Sequence, residues 1–241
     1  MRQENDPRKV SRLSRRELLK LSPVVLVAAF AVPAFRRLLL RRGLAFADAM
    51  AGRTFRPRHP ATTFDDSQAV PLDRFPFNGY DQLEPAIDFD NWRLEVAGAV
   101  AKPGAYTLDE IRSLPCVRQN TRHVCVEGWD AIGNFGGVRL GDFLGHVGAD
   151  TRADFVTVEC ADDYYESLDM ATALHPMSLL CDEMYGQPLL RGHGAPLRLS
   201  LPTKLGYKSA KYLRQLEVTN VLRPDHRGYW ADQGYSWYAG L

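Results

Sequence analysis

A regular alternation of apolar and polar positions begins near Asn91. Trp92, Leu94 and Val96 alternate with Arg93 and Glu95, the period-two pattern of a half-buried strand. Gly98 and Pro103-Gly104 interrupt it. Thr107-Leu108-Asp109-Glu110 has capping-box spacing and predicts a short helix that ends at Pro115. A second strand runs into Cys125. Gly133, Gly136 and Gly137 read as a loop, followed by a short helix over residues 138–147 that Gly148 stops. Residues 155–160 have strand composition, and 169–174 predict a helix halted at His175-Pro176. Further strands are expected over 179–185, turning at Gly186-Gln187, then over 196–201 and 213–221. Strands are many and the helices few and short. The expected class is α+β, a mixed β-sheet core with short helices, rather than a doubly wound dinucleotide-binding sheet. No repeat of 20–50 residues is evident.

Before Asn91 the periodicity disappears. Residues 48–90 are rich in Pro, Asp and Phe and read as an extended N-terminal arm. Phe75, Phe77 and Tyr80 can pin it by burying aromatic area, and Asn78, Gly79 and Asp81 supply a turn. Residues 1–47 read as a targeting segment. Ser14-Arg15-Arg16-Glu17-Leu18-Leu19-Lys20 precedes an uncharged run of 15 residues with two prolines, short of the roughly 20 that a membrane helix needs. Ala45-Phe46-Ala47 offers a small-residue cleavage site. The string SRRELLK resembles a bacterial twin-arginine export signal, with Leu18 where Phe is commoner. That resemblance implies a periplasmic protein, or one tethered to the membrane with its body outside the cytoplasm. The cluster Arg36, Arg37, Arg41 and Arg42 keeps an amphipathic or anchoring N-terminus open. Residues 91–241 form the remaining domain.

Charge sharpens this division. The formal net charge of the 241 residues is +1, but residues 1–47 hold eleven Lys or Arg against three Asp or Glu. The remainder has 19 basic and 26 acidic residues, a net charge of −7. A body that acidic lacks the basic footprint of a nucleic-acid-binding protein. The four cysteines, Cys116, Cys125, Cys160 and Cys181, contain no C-x-x-C pair, which argues against a structural zinc site. In an exported chain they allow two disulfides in three pairings.

Candidate chemistry centres on residues 121–130, TRHVCVEGWD. Cys125 stands at the end of the predicted strand, before a Gly-Trp turn, where a thiolate can hold a soft metal. Residues 192–211, GHGAPLRLSLPTKLGYKSAK, form a glycine-punctuated strand with basic side chains near it, a cradle for an anion. A soft ligand beside such a cradle suggests a metal carried by an organic, phosphate-bearing cofactor. The bland alternatives are a solvated strand position for Arg198 and surface positions for Lys208 and Lys211. His123 reads as a second-sphere or core histidine rather than a ligand. Arg122 and Arg139 are substrate-side charges or solvated ones, and Trp129 and Trp230 pack, with shaping a substrate pocket as their second reading.

Five segments in order carry a family resemblance: NWRLEVAGAVAKPG, HVCVEGWD, LHPMSLL, GQPLLRGHGAPLRLSLP and GYKSAKYLRQLEV. From about residue 91 to 238 the sequence resembles the molybdopterin-binding domain of the sulfite oxidase superfamily. CVEGW is most similar to the periplasmic methionine-sulfoxide reductase branch. The resemblance implies a sulfite-oxidase-type fold, one Mo-molybdopterin per chain, and Cys125 as the molybdenum ligand. It places His193, Arg198, Ser209, Ala210 and Lys211 at positions that contact the pterin and its phosphate. Asn78, Tyr80 and Asp81 match an arm that covers the cofactor. Cys160 falls on a further cofactor-binding position, where relatives often have Thr; they often have Asn at His193.

The implied activity is oxygen-atom transfer on a sulfur compound, either S-oxide reduction or sulfite-type oxidation. Sulfite calls for convergent arginines; a neutral sulfoxide prefers aromatic walls. No C-x-x-C-H haem motif is present, so electrons are expected through a separate cytochrome, membrane-bound in the sulfoxide-reductase system. The chain ends soon after Tyr238, and a monomer is expected. The rivals are a non-catalytic periplasmic module that binds a pterin or an anion, and a cofactor-free structural domain.

Overall fold

A computed structural model describes residues 33–55, 59–79 and 85–241. The SRRELLK string, Tyr80 and Asp81 lie outside the described residues. The chain divides into two units, residues 1–46 and 47–241, and the boundary falls within a helix, α1 (Pro33–Thr54). The arm expected from residue 48 is therefore helical as far as Thr54. Residues 45–54 contain four alanines, the strongest helix former, which outweighs the absence of an apolar period. Among the described residues no helix is long and apolar enough to cross a membrane.

Among the described residues the body has ten strands and four further short α-helices. In chain order these are β1 (Leu94–Gly98), β2 (Gly104–Tyr106), α2 (Leu108–Arg112), β3 (Cys116–Val124) and β4 (Asp130–Arg139). Then come α3 (Leu140–His146), β5 (Phe155–Cys160), β6 (Tyr165–Asp169), α4 (Met170–Ala173) and β7 (Leu179–Met184). Last are β8 (Gln187–Pro188), β9 (Arg198–Ser200), β10 (Leu213–Thr219) and α5 (Tyr229–Asp232). One sheet has the order β2-β1-β10-β5-β6; the other runs β3-β4-β7-β8, with β9 also on β7. β1 and β10 are parallel and the remaining pairs antiparallel. The class is α+β with mixed pairing, as the patterning indicates.

The main core joins the two sheets. Leu94 and Val96 of β1, Val156 and Val158 of β5, Leu216 and Val218 of β10 pack with Leu180, Leu199 and Phe143. A smaller core lies on the other face of β7, where Leu179, Cys181 and Met184 meet Phe135 and the arm residue Phe75. The arm is also tied to the edge of β3, through Phe64 N to Asn120 O at 3.1 Å. Of the three aromatic residues expected to pin it, Phe75 is buried and Phe77 remains 45% exposed.

Local chemistry explains several element ends. Glu110 N donates to Thr107 Oγ1 at 3.0 Å and Thr107 N to Glu110 Oε2 at 2.7 Å, the reciprocal capping box that starts α2. Asp169 caps α4 through Thr172 N at 2.8 Å. One expectation is overturned: Gly133, Gly136 and Gly137 lie within the ten-residue strand β4, not in a loop. A Cβ on Gly137 (φ +153°) would stand 2.1 Å from the Leu180 carbonyl oxygen, and one on Gly133 2.7 Å from the Phe75 ring. The register shifts between Gly136 and Gly137, so the glycines permit a bulge and close approach inside a strand. The helix expected from residue 138 starts at Leu140, since Val138 and Arg139 complete β4. All four cysteines are free.

Candidate functional site

The loop between β3 and β4 carries Cys125. Cys125 N donates to Trp129 O at 2.8 Å and Gly128 N to Cys125 O at 3.2 Å; Gly128 has φ +93°, a conformation that favours glycine. This tight loop holds the half-buried Sγ at 3.8 Å from Glu127 Oε2. The same carboxylate oxygen accepts from Asn78 Nδ2 at 2.6 Å and Trp129 Nε1 at 3.1 Å. Those bonds, from Trp129 and then Asn78, hold the Glu127 carboxyl below its ordinary range. Burial, helped by Glu127, pushes the Cys125 thiol up. A bound metal would remove that proton, because a coordinating thiol is deprotonated outright.

The opposite wall gathers cations. A turn at Arg191–His193 ends on Gly194, φ +104°. A Cβ there would meet Lys211 Cβ at 2.9 Å and Arg198 Cβ at 3.2 Å, so glycine lets the two basic chains converge. Arg198, on β9, is 4% exposed and donates to the carbonyls of Leu199, His193 and Ser209 at 3.1, 2.9 and 3.4 Å. Lys211 Nζ donates to Asn78 O at 2.8 Å and Gly192 O at 2.7 Å. Among the described residues, neither cation has a carboxylate within ion-pair distance. Burial, with Arg198 second, pulls the Lys211 pKa down to about 7. Burial and then the same two cations hold His123 to about 3 and His193 to about 4, so both rings are neutral. His193 Nδ1 is buried with no hydrogen-bond partner among the described residues, which costs free energy unless a ligand supplies one.

These walls face one cleft. It is lined by Cys125, Glu127 and Trp129, by Phe75, Phe77, Asn78 and Gly79 of the arm, and by Arg198, Ser209, Ala210 and Lys211. Asp162, Tyr164, Gly206, Tyr207, His123 and Trp230 complete it. Six residues expected from the sequence thus meet: Asn78, Cys125, Arg198, Ser209, Ala210 and Lys211. His193 stands just behind, edge-on to Phe75 and Phe77 at 5.8 and 5.1 Å. Cys160 does not join them. Its side chain is fully buried in the main core, because β5 alternates and Cys160 shares the inward face with Val156 and Val158. Arg122 pairs with Asp130 and Arg139 with Asp142, both at the surface.

Asp162 and Glu127 are the polar groups that patterning missed. Glu127 was visible inside CVEGW. Asp162 carried no signal, since the turn from β5 to β6 alone brings it in; burial raises its pKa. The donor set is coherent. A soft thiol, two cations without a carboxylate and an orphaned imidazole nitrogen suit a ligand that combines a soft metal with an anionic group.

The chain is similar to known proteins along most of its length. The model of the oxidoreductase molybdopterin binding domain matches residues 82–230. A putative protein-methionine-sulfoxide reductase subunit of Azospira oryzae is 47% identical over 197 residues, covering 81% of this chain and 73% of the relative. The protein-methionine-sulfoxide reductase catalytic subunit of Xanthomonas campestris pv. campestris is 31% identical over 195 residues. That match covers 72% of this chain, which spans 60% of the Xanthomonas protein. Among solved structures, the sulfane dehydrogenase SoxCD from Paracoccus pantotrophus gives a TM-score of 0.53 at 20% identity, over 60% of this chain and 46% of that one. The likeness to SoxCD is one of fold, a sulfite-oxidase-type arrangement of sheets and short helices. With the domain matched over most of the body and relatives similar along most of its length, the chain belongs to the oxidoreductase molybdopterin binding domain family of the sulfite oxidase superfamily.

Proposed function

We propose that this chain is a molybdopterin-dependent oxidoreductase that takes an oxygen atom from a sulfoxide. One observation carries the reading: the Cys125 thiol and two cations that have no carboxylate partner among the described residues face each other across a single cleft. Cys125 holds the metal. Arg198, Lys211, Ser209 and the backbone around Ala210 hold the phosphate, by charge and hydrogen bonding. His193 offers its unpartnered Nδ1 from behind, and the arm from Asn78 through Tyr80 and Asp81 covers the cofactor. When bound, the cofactor supplies two-electron oxygen-atom exchange, while the protein binds and orients it.

The mouth of the cleft favours a neutral substrate. Phe77, Val126 and Tyr235 are 45%, 42% and 42% exposed, and Tyr235 stacks edge-on against the cleft residue Trp230 at 5.2 Å. The Glu127 carboxylate beside Cys125 repels an anion such as sulfite. The only other arginines that the patterning offered, Arg122 and Arg139, are engaged at the surface. The names of the Azospira and Xanthomonas relatives support a protein-bound methionine sulfoxide. Both are named subunits, which supports electron delivery by a separate cytochrome. The SRRELLK string supports export to the periplasm.

Protein made in a molybdenum-replete host tests this. We expect about one molybdenum per chain and, with a reduced viologen dye, faster turnover of sulfoxides than oxidation of sulfite. A metal-free chain after reconstitution, or sulfite oxidation as the dominant activity, would overturn the assignment.

A further inference from the structure

We infer that the buried Glu166–Lys208 ion pair is a positioning element, setting two walls of the cleft at once. The inference rests on the cofactor reading above. Lys208 Nζ lies 2.6 Å from Glu166 Oε1, with side chains only 2% and 0% exposed, and donates to Ser167 O at 2.7 Å. Replacing a buried pair with apolar groups is often neutral or stabilising, so stability does not account for charges here. Geometry does. Tyr207 and Ser209, on either side of Lys208, line the cleft, while the Lys208 side chain runs the opposite way into the protein. Two directional bonds at its tip therefore fix the backbone that presents Ser209 and Lys211. Tyr164 reinforces this by donating from its hydroxyl to Tyr207 O at 2.8 Å.

The second wall packs against the same residue. The Glu166 backbone forms an antiparallel bridge with Gly228, and its carboxylate sits against that glycine, where an added Cβ would stand 2.2 Å from Glu166 Oε1. Trp230, two residues on, lines the cleft. Ser167 Oγ accepts from Trp237 Nε1 at 2.7 Å and donates to Arg227 O, tying the C-terminal strap to the same point. Removing either charge loosens both walls together.

The test compares full-length wild type, Lys208→Met, Glu166→Gln and, as a control, Lys204→Met, each from a molybdenum-replete host. Lys204 is as deeply buried, but it bonds Tyr238 O and does not line the cleft. Molybdenum and pterin per chain, the melting midpoint and the Mo(V) paramagnetic resonance signal are measured. Lys208→Met and Glu166→Gln should lower cofactor content by about ten-fold, the loss typical of residues that orient ligands, or shift the resonance signal. Lys204→Met should lower the midpoint while cofactor content and signal stay unchanged. Should Lys208→Met fail to fold, Glu166→Gln decides, because it keeps shape and an acceptor for Lys208. Full cofactor with an unaltered signal in the foldable pair variants overturns the inference, as does equal cofactor loss in Lys204→Met. Wild type without molybdenum would instead overturn the cofactor reading itself.

Discussion

The carbonyl oxygen of Asn78 accepts a 2.8 Å hydrogen bond from Lys211 Nζ, while the Asn78 side chain donates to Glu127 beside Cys125. One arm residue thus joins the thiol side of the cleft to its cationic side. Among the described residues Lys211 donates to two carbonyls and lies over the Phe77 ring, and burial takes its pKa from 10.5 to about 7. The folded chain therefore carries a penalty for the ammonium below pH 7, which fades as pH rises from 7 towards 10.5. A bound anion reverses the preference and favours the charged form. Sulfate should raise the melting temperature of the cofactor-free protein most at pH 6 and least at pH 9, and Lys211→Met should flatten that profile. An unchanged sulfate effect across this range would count against Lys211 as the anion's partner.

Cys125→Ser should abolish molybdenum retention and sulfoxide turnover without unfolding the body. Cys125 is only half-buried in a loop whose bonds are made by backbone groups. The melting midpoint should stay within about 4 °C of wild type, the shift expected of ~1 kcal/mol in a body of this size.

Gly137→Ala should destabilise by about 2 kcal/mol or more, since its Cβ would strike the Leu180 carbonyl at a positive φ. The backbone cannot yield there without parting β4 from β7. Urea unfolding should show a lower midpoint with an unchanged slope; a midpoint equal to wild type would mean that the bulge relaxes freely.

Thr107→Ala removes half of a capping box far from the cleft and should cost about 1 kcal/mol. Molybdenum per folded chain should not change. A loss of cofactor in this variant would show that general destabilisation, rather than local geometry, controls retention.

Much of the scaffold could be read from the chain because single residues report their own burial. The alternation of β5 and the Thr107–Glu110 box act within a few residues, and both appear in the structure. Polar residues inside a strand left no signal. β6 buries Glu166 and Ser167 in succession, a pattern with no period, because the lysine that makes Glu166 tolerable lies 42 residues away. The β4 glycines read as a loop, since what excludes a side chain there is the neighbouring strand and the Phe75 ring.

The site divides in the same way. Residue type marked Cys125 and the basic, glycine-punctuated stretch after it, and the family resemblance singled out Arg198 and the Ser209–Lys211 run within that stretch. Only the folded chain could place Asp162 in the cleft, put Cys160 in the core, set His193 behind two aromatic rings, and turn Lys208 inward to Glu166. Each of those outcomes depends on which distant segment fills the adjoining space. Close packing leaves one arrangement, and no local pattern records it.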